Sequence, residues 1–244
     1  MKAATPADTV IYAVGDIHGR LDLLDAIHAL IVADARRRKA GNGLLVYLGD
    51  YVSRGMDSPA VIDRVREWLP EGFERITLRG NHEDLLLRYI DGEWDAGRHW
   101  FDYGGLDTLA AYDVAIPDRT ARDEASVGAL GRSFAAALPP AHLEFFRALR
   151  HSHRAGGYLF VHGGIRPGVP LERQSPHDCM WIRKTFLDSD IVHGAVVVHG
   201  HSISQEPEVR HNRIGIDTGA YRSGVLTCLV LDGDSRDFLQ TGAS

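Results

Sequence analysis

Hydrophobic positions alternate between short apolar runs and helical stripes through the first third of the chain. Val10 to Val14 is a β-branched and aromatic run of the kind a buried strand needs, and Leu21, Leu24, Ile27, His28 and Ile31 then recur at helical spacing. The same order returns twice. Leu44 to Leu48 predicts a second strand, followed by a helix through Pro59, Val61, Ile62, Val65, Trp68 and Leu69; Phe73 to Leu78 predicts a third, followed by helix from Leu85 to Ile90. Strand, polar turn and helix in repeated succession predict a parallel sheet with helices on its faces. In such a sheet the site lies beyond the carboxyl ends of the strands.

From about residue 91 to 150 the alternation stops. Trp94, Trp100, Phe101, Leu106, Leu109 and Tyr112 suggest one helix, and Ser126 to Leu138 and Ala141 to Leu149 suggest more, so this region reads as a helical insertion over the sheet edge. The remainder is strand-rich: Tyr158 to Val161, Ala195 to Val198, Arg213 to Ile216, Val225 to Leu231 and Asp237 to Leu239. The last three, joined by Gly-rich turns, predict an antiparallel meander. A single domain over 1–244 accommodates all of this, with length enough for one large core.

A formal net charge of -6 leaves no general basic surface for a nucleic acid or an anionic membrane, so any phosphate site has to be local. Cys179 and Cys228 stand far apart and lack basic neighbours, which fits packing residues in a reducing compartment. No apolar run reaches the roughly 18 residues of a membrane span, and a cytoplasmic chain is expected.

The chemistry clusters at the strand ends. Gly15-Asp16-Ile17-His18-Gly19-Arg20 follows the first strand, and residues two apart in extended chain share a side, so Asp16 and His18 can reach one ion. Carboxylate with imidazole suits Mn, Fe or Zn. Gly49-Asp50-Tyr51-Val52-Ser53-Arg54-Gly55 follows the second strand, which sets Asp50 beside Asp16 as a bridging carboxylate and offers the Arg54 fork to a phosphate. Gly80-Asn81-His82-Glu83 follows the third: Asn81 supplies a neutral oxygen, and His82 can move a proton near neutral pH. His162-Gly163-Gly164 and His199-Gly200-His201-Ser202 each close an apolar run, and of His199 and His201 one is expected to be a ligand. Together these make the constellation of a binuclear site.

These residues resemble the phosphoprotein phosphatase branch of the calcineurin-like metallophosphoesterases, in the form found in bacterial and phage members. The family motifs GDxHG, GDxVDRG and GNHE match Gly15 to Gly19, Gly49 to Gly55 and Gly80 to Glu83, and the later HGG and GH motifs match His162 to Gly164 and Gly200-His201. The resemblance implies an α/β fold, an α/β/β/α sandwich of two mixed sheets flanked by helices. It implies two divalent cations, Mn first with Fe or Zn as alternatives. Asp16, His18 and Asp50 would hold one, and Asp50, Asn81, His162 and His201 the other. Arg54 matches the phosphate-binding arginine, His82 the catalytic histidine, and Arg183 is the candidate for a second phosphate-binding arginine.

One position departs from the motif. Ser53 stands where the family has the aspartate that partners the catalytic histidine. Serine can orient His82 but supplies no charge to hold up its pKa, so a slower enzyme is expected, with the limb set by the acid lower in pH. The expected reaction is attack on phosphorus by a metal-bridging hydroxide, with Arg54, Arg183 and Asn81 on the phosphoryl group and His82 protonating the leaving oxygen. The leading substrate from the motifs is phosphoserine or phosphothreonine in a protein or peptide, with phosphotyrosine beside it. The alternative is a small phosphoester or nucleotide, through symmetrical hydrolysis of dinucleoside polyphosphates such as diadenosine tetraphosphate. A non-catalytic phosphate-binding or scaffold protein is the third.

Overall fold

Residues 3–242 are described by the computed structural model. The repeated strand–helix units form as expected. Strands β1 (Thr9–Val14), β2 (Asn42–Tyr47) and β3 (Phe73–Thr77) run parallel and alternate with helices α1 (Leu21–Arg38), α2 (Ser58–Glu67) and α3 (Asn81–Ile90). Period-two alternation sorts the side chains of these strands. Tyr12, Val14, Leu45 and Tyr47 face the helices, while Ile11, Ala13, Leu44 and Val46 face the opposite way.

That opposite face is covered by a second sheet. Strands β4 (Ser152–Ala155), β5 (Tyr158–Val161), β6 (Val196–His199), β7 (Glu208–Val209) and β8 (Arg213–Gly215) take the order β4-β5-β6-β8-β7. The first sheet is completed by β9 (Thr227–Asp232) and β10 (Ser235–Gln240), giving β10-β9-β1-β2-β3. Tyr158, Phe160, Val196, Val198, Ile214 and Ile216 fill the space between the sheets against Ile11, Val46, Leu48, Leu229 and Leu231. Burial at this interface removes apolar surface at roughly 25 cal/mol per Å², and truncating Phe160 to Ala there would cost about 3–5 kcal/mol. The layers are therefore helix, sheet, sheet, helix, each sheet being mixed.

Two expectations change. The Arg213 segment and the last two strands are not one meander: β8 pairs parallel with β6 in the second sheet, whereas β9 and β10 form a hairpin on β1 in the first. The chain between them carries Asp217 to Ser223 across from one sheet to the other, and a period-two pattern cannot report which sheet a strand joins. The stretch from Trp94 to Tyr112 is two helices, α4 (Trp94–Phe101) and α5 (Gly105–Ala111), broken at residues 102–104. Gly104 has φ of 93°, and a Cβ there would lie 2.7 Å from the Arg54 backbone nitrogen. The break lets the turn seat itself on that backbone.

Helices α6 (Glu124–Ala137) and α7 (Pro140–Ala148) complete the insertion, which packs on α2 and α3 and shares their core through Trp100, Leu109, Phe134 and Phe146. His142 ties it to α2, its Nε2–H donating to Asp63 Oδ1 at 2.8 Å while its Nδ1 lies 2.7 Å from Tyr112 Oη. On the outer face of the second sheet, α8 (Pro176–Trp181) and α9 (Lys184–Leu187) cover Leu159, Val161 and Val197 with Cys179, Ile182 and Phe186. A short turn, α10 (Ala220–Ser223), precedes β9. Both cysteines are free and buried, and among the described residues no helix is long and apolar enough to cross a membrane.

Candidate metal centre and active site

The carboxyl ends of β1, β2, β3, β5 and β6 meet at one cleft. It is lined by Asp16, His18, Asp50, Arg54, Asn81, His82, Arg183 and His201, with Tyr103, Ile203 and Asp217 beside them. Asp50 is central. Its Oδ2 lies 3.4 Å from His162 Nε2, 3.5 Å from His18 Nε2 and 3.8 Å from His82 Nε2. Asp16 lies across the cleft and accepts the His201 backbone N–H at 3.0 Å.

The backbone of the site is strained and heavily braced. His18, Asp50, Ser53, Arg54 and His201 all have left-handed φ between 49° and 75°, a conformation costing about 1–3 kcal/mol for a non-glycine residue. Hydrogen bonds hold it. The N–H groups of Ile17 and His18 donate to Asp50 O, Gly19 N–H donates to Tyr51 O, and Gly55 N–H donates to His18 O. Beneath them Glu83 is fully buried and accepts from the backbone N–H of Asp50, Tyr51, Val52 and Gly80 at 2.9–3.3 Å. One carboxylate thus ties the second motif to the third, which is a role the motif residue Glu83 did not disclose by its type.

Two of the imidazole candidates are oriented from behind. His18 Nδ1 lies 2.8 Å from Val52 O and His162 Nδ1 lies 2.9 Å from Leu48 O, which leaves each Nε2 pointing into the cleft. Asn81 Oδ1 is 3.0 Å from His162 Nε2. His201 Nε2 is buried with no hydrogen-bond partner, an expensive state for a polar atom unless a further group completes it. His18, Asp50 and His82 bring ligand atoms within 4.8 Å of one another, and so do Asp50, His162 and His201. Buried imidazole and carboxylate groups with one shared carboxylate are the donor set that suits a pair of first-row divalent cations.

The electrostatics express the crowding. Burial opposes the charge of Asp50, yet His162 and His82 outweigh it and hold Asp50 well below the usual carboxylate range. Burial likewise opposes protonation of His162, but Asp50 and Asp16 push it up to about 9. Asp16 is raised by burial and by Asp217. His82 is pushed down to about 4 by burial, with Arg54 and His162 adding to it against Asp50. A divalent cation on the Asp50 side would reverse the His162 shift, because the ion's charge would take the place of the proton.

Arg54 reaches the cleft with Nη1 3.0 Å from His18 Nε2, and its guanidinium sits 4.3 Å above the Tyr221 ring. Arg183 also reaches it, its Nη1 donating to His201 O at 3.0 Å. His199 does not. Its ring packs edge-on against Phe186 at 5.2 Å, under the outer helices, with Nδ1 3.0 Å from Gly200 O. Ser53 does not orient His82 as expected: its Oγ accepts from Trp100 Nε1 at 2.9 Å, and His82 Nδ1 has no partner.

Asp217 and Tyr221 are site residues that the motifs left out. Asp217 had a readable signal, since Gly215-Ile216-Asp217 places an aspartate after a strand much as Gly15-Asp16 and Gly49-Asp50 do. Tyr221 had none, because its value lies in stacking under a residue far away in sequence.

A family model described as calcineurin-like phosphoesterase matches residues 9–222. The chain belongs to the calcineurin-like phosphoesterase family. Its match to an uncharacterised protein of Schizosaccharomyces pombe is 35% identical over 102 residues, covering 38% of this chain and 30% of that protein. A symmetrical bis(5'-nucleosyl)-tetraphosphatase of Nitrosospira multiformis is 29% identical over 163 residues, covering 67% of this chain and 46% of that enzyme. The chain therefore spans less than half the length of these relatives. A solved structure assigned to a diadenosine tetraphosphatase superposes with a TM-score of 0.63 at 19% identity, covering 99% of this chain and 100% of that one. That likeness shows the fold. The family depends on a binuclear metal centre, and this chain carries two groups of candidate metal-binding residues that share Asp50.

Proposed function

We propose that this chain hydrolyses phosphoesters at a centre of two divalent cations held by Asp16, His18, Asp50, Asn81, His162 and His201. The observation that carries the reading is Asp50 Oδ2, which stands 3.4–3.8 Å from three imidazole nitrogens in a buried cleft. Mn is the first choice of metal, with Fe or Zn as alternatives. When bound, such a pair of ions would supply a hydroxide nucleophile near neutral pH and neutralise charge on the phosphoryl oxygens.

The remaining work falls to the side chains. Arg54, from the loop after β2, and Arg183, from the segment after α8, both line the cleft and grip the phosphoryl group, whose charge grows on its equatorial oxygens in the transition state. Asn81 directs a neutral donor and acceptor to the same group. His82 gives its proton to the leaving oxygen. With its pKa pushed down to about 4, the protonated form is a strong acid that is scarce at neutral pH.

For the substrate, the 29% identity over 163 residues with the symmetrical tetraphosphatase favours dinucleoside polyphosphates. A second reading, phosphoserine and phosphothreonine in proteins or peptides with phosphotyrosine beside them, is favoured by the near-complete motif set from Gly15 to His201. One panel separates them: diadenosine tetraphosphate, phosphoserine, phosphothreonine and phosphotyrosine peptides, each assayed with Mn, Fe, Zn or chelator. The reading expects metal-dependent turnover, fastest on diadenosine tetraphosphate with ADP as the sole nucleotide product. Turnover surviving both chelation and Asp50→Asn would refute the metal centre.

A further inference from the structure

Four aromatic rings run outward from the mouth of the cleft. Tyr103 lines the cleft and is 49% exposed. His99 packs 5.1 Å from it, Trp181 lies 5.8 Å from His99, and His177 stacks on Trp181 at 6.1 Å with only 16° between the planes. The strip crosses two segments the metal motifs do not include, the break between α4 and α5 and the helix α8. Both are held in register with the catalytic loops. Gly104 rests on the Arg54 backbone, and Trp181 Nε1 donates to Asp84 Oδ2 at 3.2 Å, one residue beyond Glu83.

Rings placed beside two phosphate-gripping arginines suit a molecule with a planar ring a short spacer away from its phosphates. The ring in question has polar edges as well as an apolar face. Two of the four side chains are imidazoles that can donate or accept, and the Asp84 carboxylate, which already takes the Trp181 N–H, has further acceptor capacity in the same strip. Heteroaromatic bases are read in this way, by stacking on aromatic faces and hydrogen bonding to base edges. Ile203, 39% exposed, is an apolar residue lining the same cleft as Tyr103.

We infer that Tyr103, His99 and Trp181 form a nucleobase-binding subsite, which takes the purine of a nucleoside polyphosphate whose phosphates lie between Arg54 and Arg183. The inference rests on the hydrolase reading above and names the group that reading leaves open. It goes beyond the metal motifs, because none of the three residues belongs to them.

Competitive inhibition tests it. With the manganese-loaded enzyme hydrolysing glycerol 2-phosphate, inhibition constants are measured for AMP, for inorganic phosphate and for phosphotyrosine. Tyr103→Ala is expected to raise the AMP constant about tenfold relative to that for inorganic phosphate, in line with a stacking contribution lost from one base. Tyr103→Phe should restore the wild-type ratio, and Trp181→Ala should move the ratio in the same direction as Tyr103→Ala. A Tyr103→Ala variant that weakens AMP and inorganic phosphate equally, or neither, overturns the subsite. So does one that weakens phosphotyrosine as much as AMP, because the strip would then recognise any aromatic ring. If neither glycerol 2-phosphate nor diadenosine tetraphosphate is hydrolysed, the hydrolase reading fails by itself. The subsite is then judged by calorimetric binding of AMP to the wild type and the Tyr103→Ala variant, where equal affinities would sink it.

Discussion

The two sheets meet at one cleft but contribute to it differently. Loops after β1, β2 and β3 are laced to one another through backbone hydrogen bonds and through Glu83, so three motifs form one braced cradle around Asp50. The second sheet offers its groups singly: His162 leans on Leu48 O, and His201 is tied to Asp16 only by its own backbone N–H. Strain concentrates in the braced half, which holds four of the five left-handed site residues. The difference teaches that the first half sets the position of Asp50, and the second half adds His162 and His201 to a frame braced without them.

Breaking the brace should have the largest effect. Glu83→Ala leaves four buried backbone N–H groups without an acceptor and is expected to lower the melting temperature by on the order of 10 °C, with activity lost along with metal. Calorimetry of the apo and metal-loaded variant checks this; an unchanged transition would mean the cradle does not depend on Glu83. His201→Ala attacks the other half and should leave the melting temperature of the apo protein nearly unaltered. Turnover is expected to fall at least about a hundredfold, restored in part by excess metal. A large apo destabilisation would erase the contrast between halves.

Ser53→Asp is a milder probe of the braced half. A carboxylate near His82 favours its protonated form, so the pH at which activity declines as the acid is lost should move upward by about one unit. A pH–rate profile superimposable on wild type would show that position 53, held by Trp100 Nε1, does not communicate with His82.

The smallest effect lies outside the cleft. His28 is stacked 3.6 Å from Trp68 and bonded to Tyr47 Oη, and burial pushes it down to about 3 from the usual 6.5. Between those values the unfolded chain binds a proton that the folded chain does not. Its contribution to stability is full above about pH 6.5 and is lost as pH falls toward 3. Urea titrations at pH 7 and pH 5 should therefore show a smaller acid loss in His28→Phe than in wild type.

Much of this was legible in the sequence because the cradle is local. Asp16, His18, Asp50, Arg54, Asn81 and His82 each follow a strand within a few residues, so a strand and its end predict their place. The parallel order of β1, β2 and β3 followed from the same units. The second half was less legible because its strands cross between sheets: β8 and β9 are neighbours in sequence yet lie in different sheets, and no alternation of apolar residues encodes that. His199 and His201 looked alike for a similar reason. The left-handed φ at His201 turns the chain, sending His201 inward while His199 stays under Phe186. Tyr103 and Tyr221 were silent, since each acts through a partner distant along the chain.

The central claim is that Asp50 joins two cations in one site. Metal content after dialysis against manganese, measured by plasma mass spectrometry on wild type, His201→Ala and Asp50→Asn, tests it most directly. The account predicts two ions per chain in wild type, about one in His201→Ala, and close to none in Asp50→Asn with the fold retained by circular dichroism. Two ions still bound to Asp50→Asn, or fewer than one bound to wild type, would contradict it.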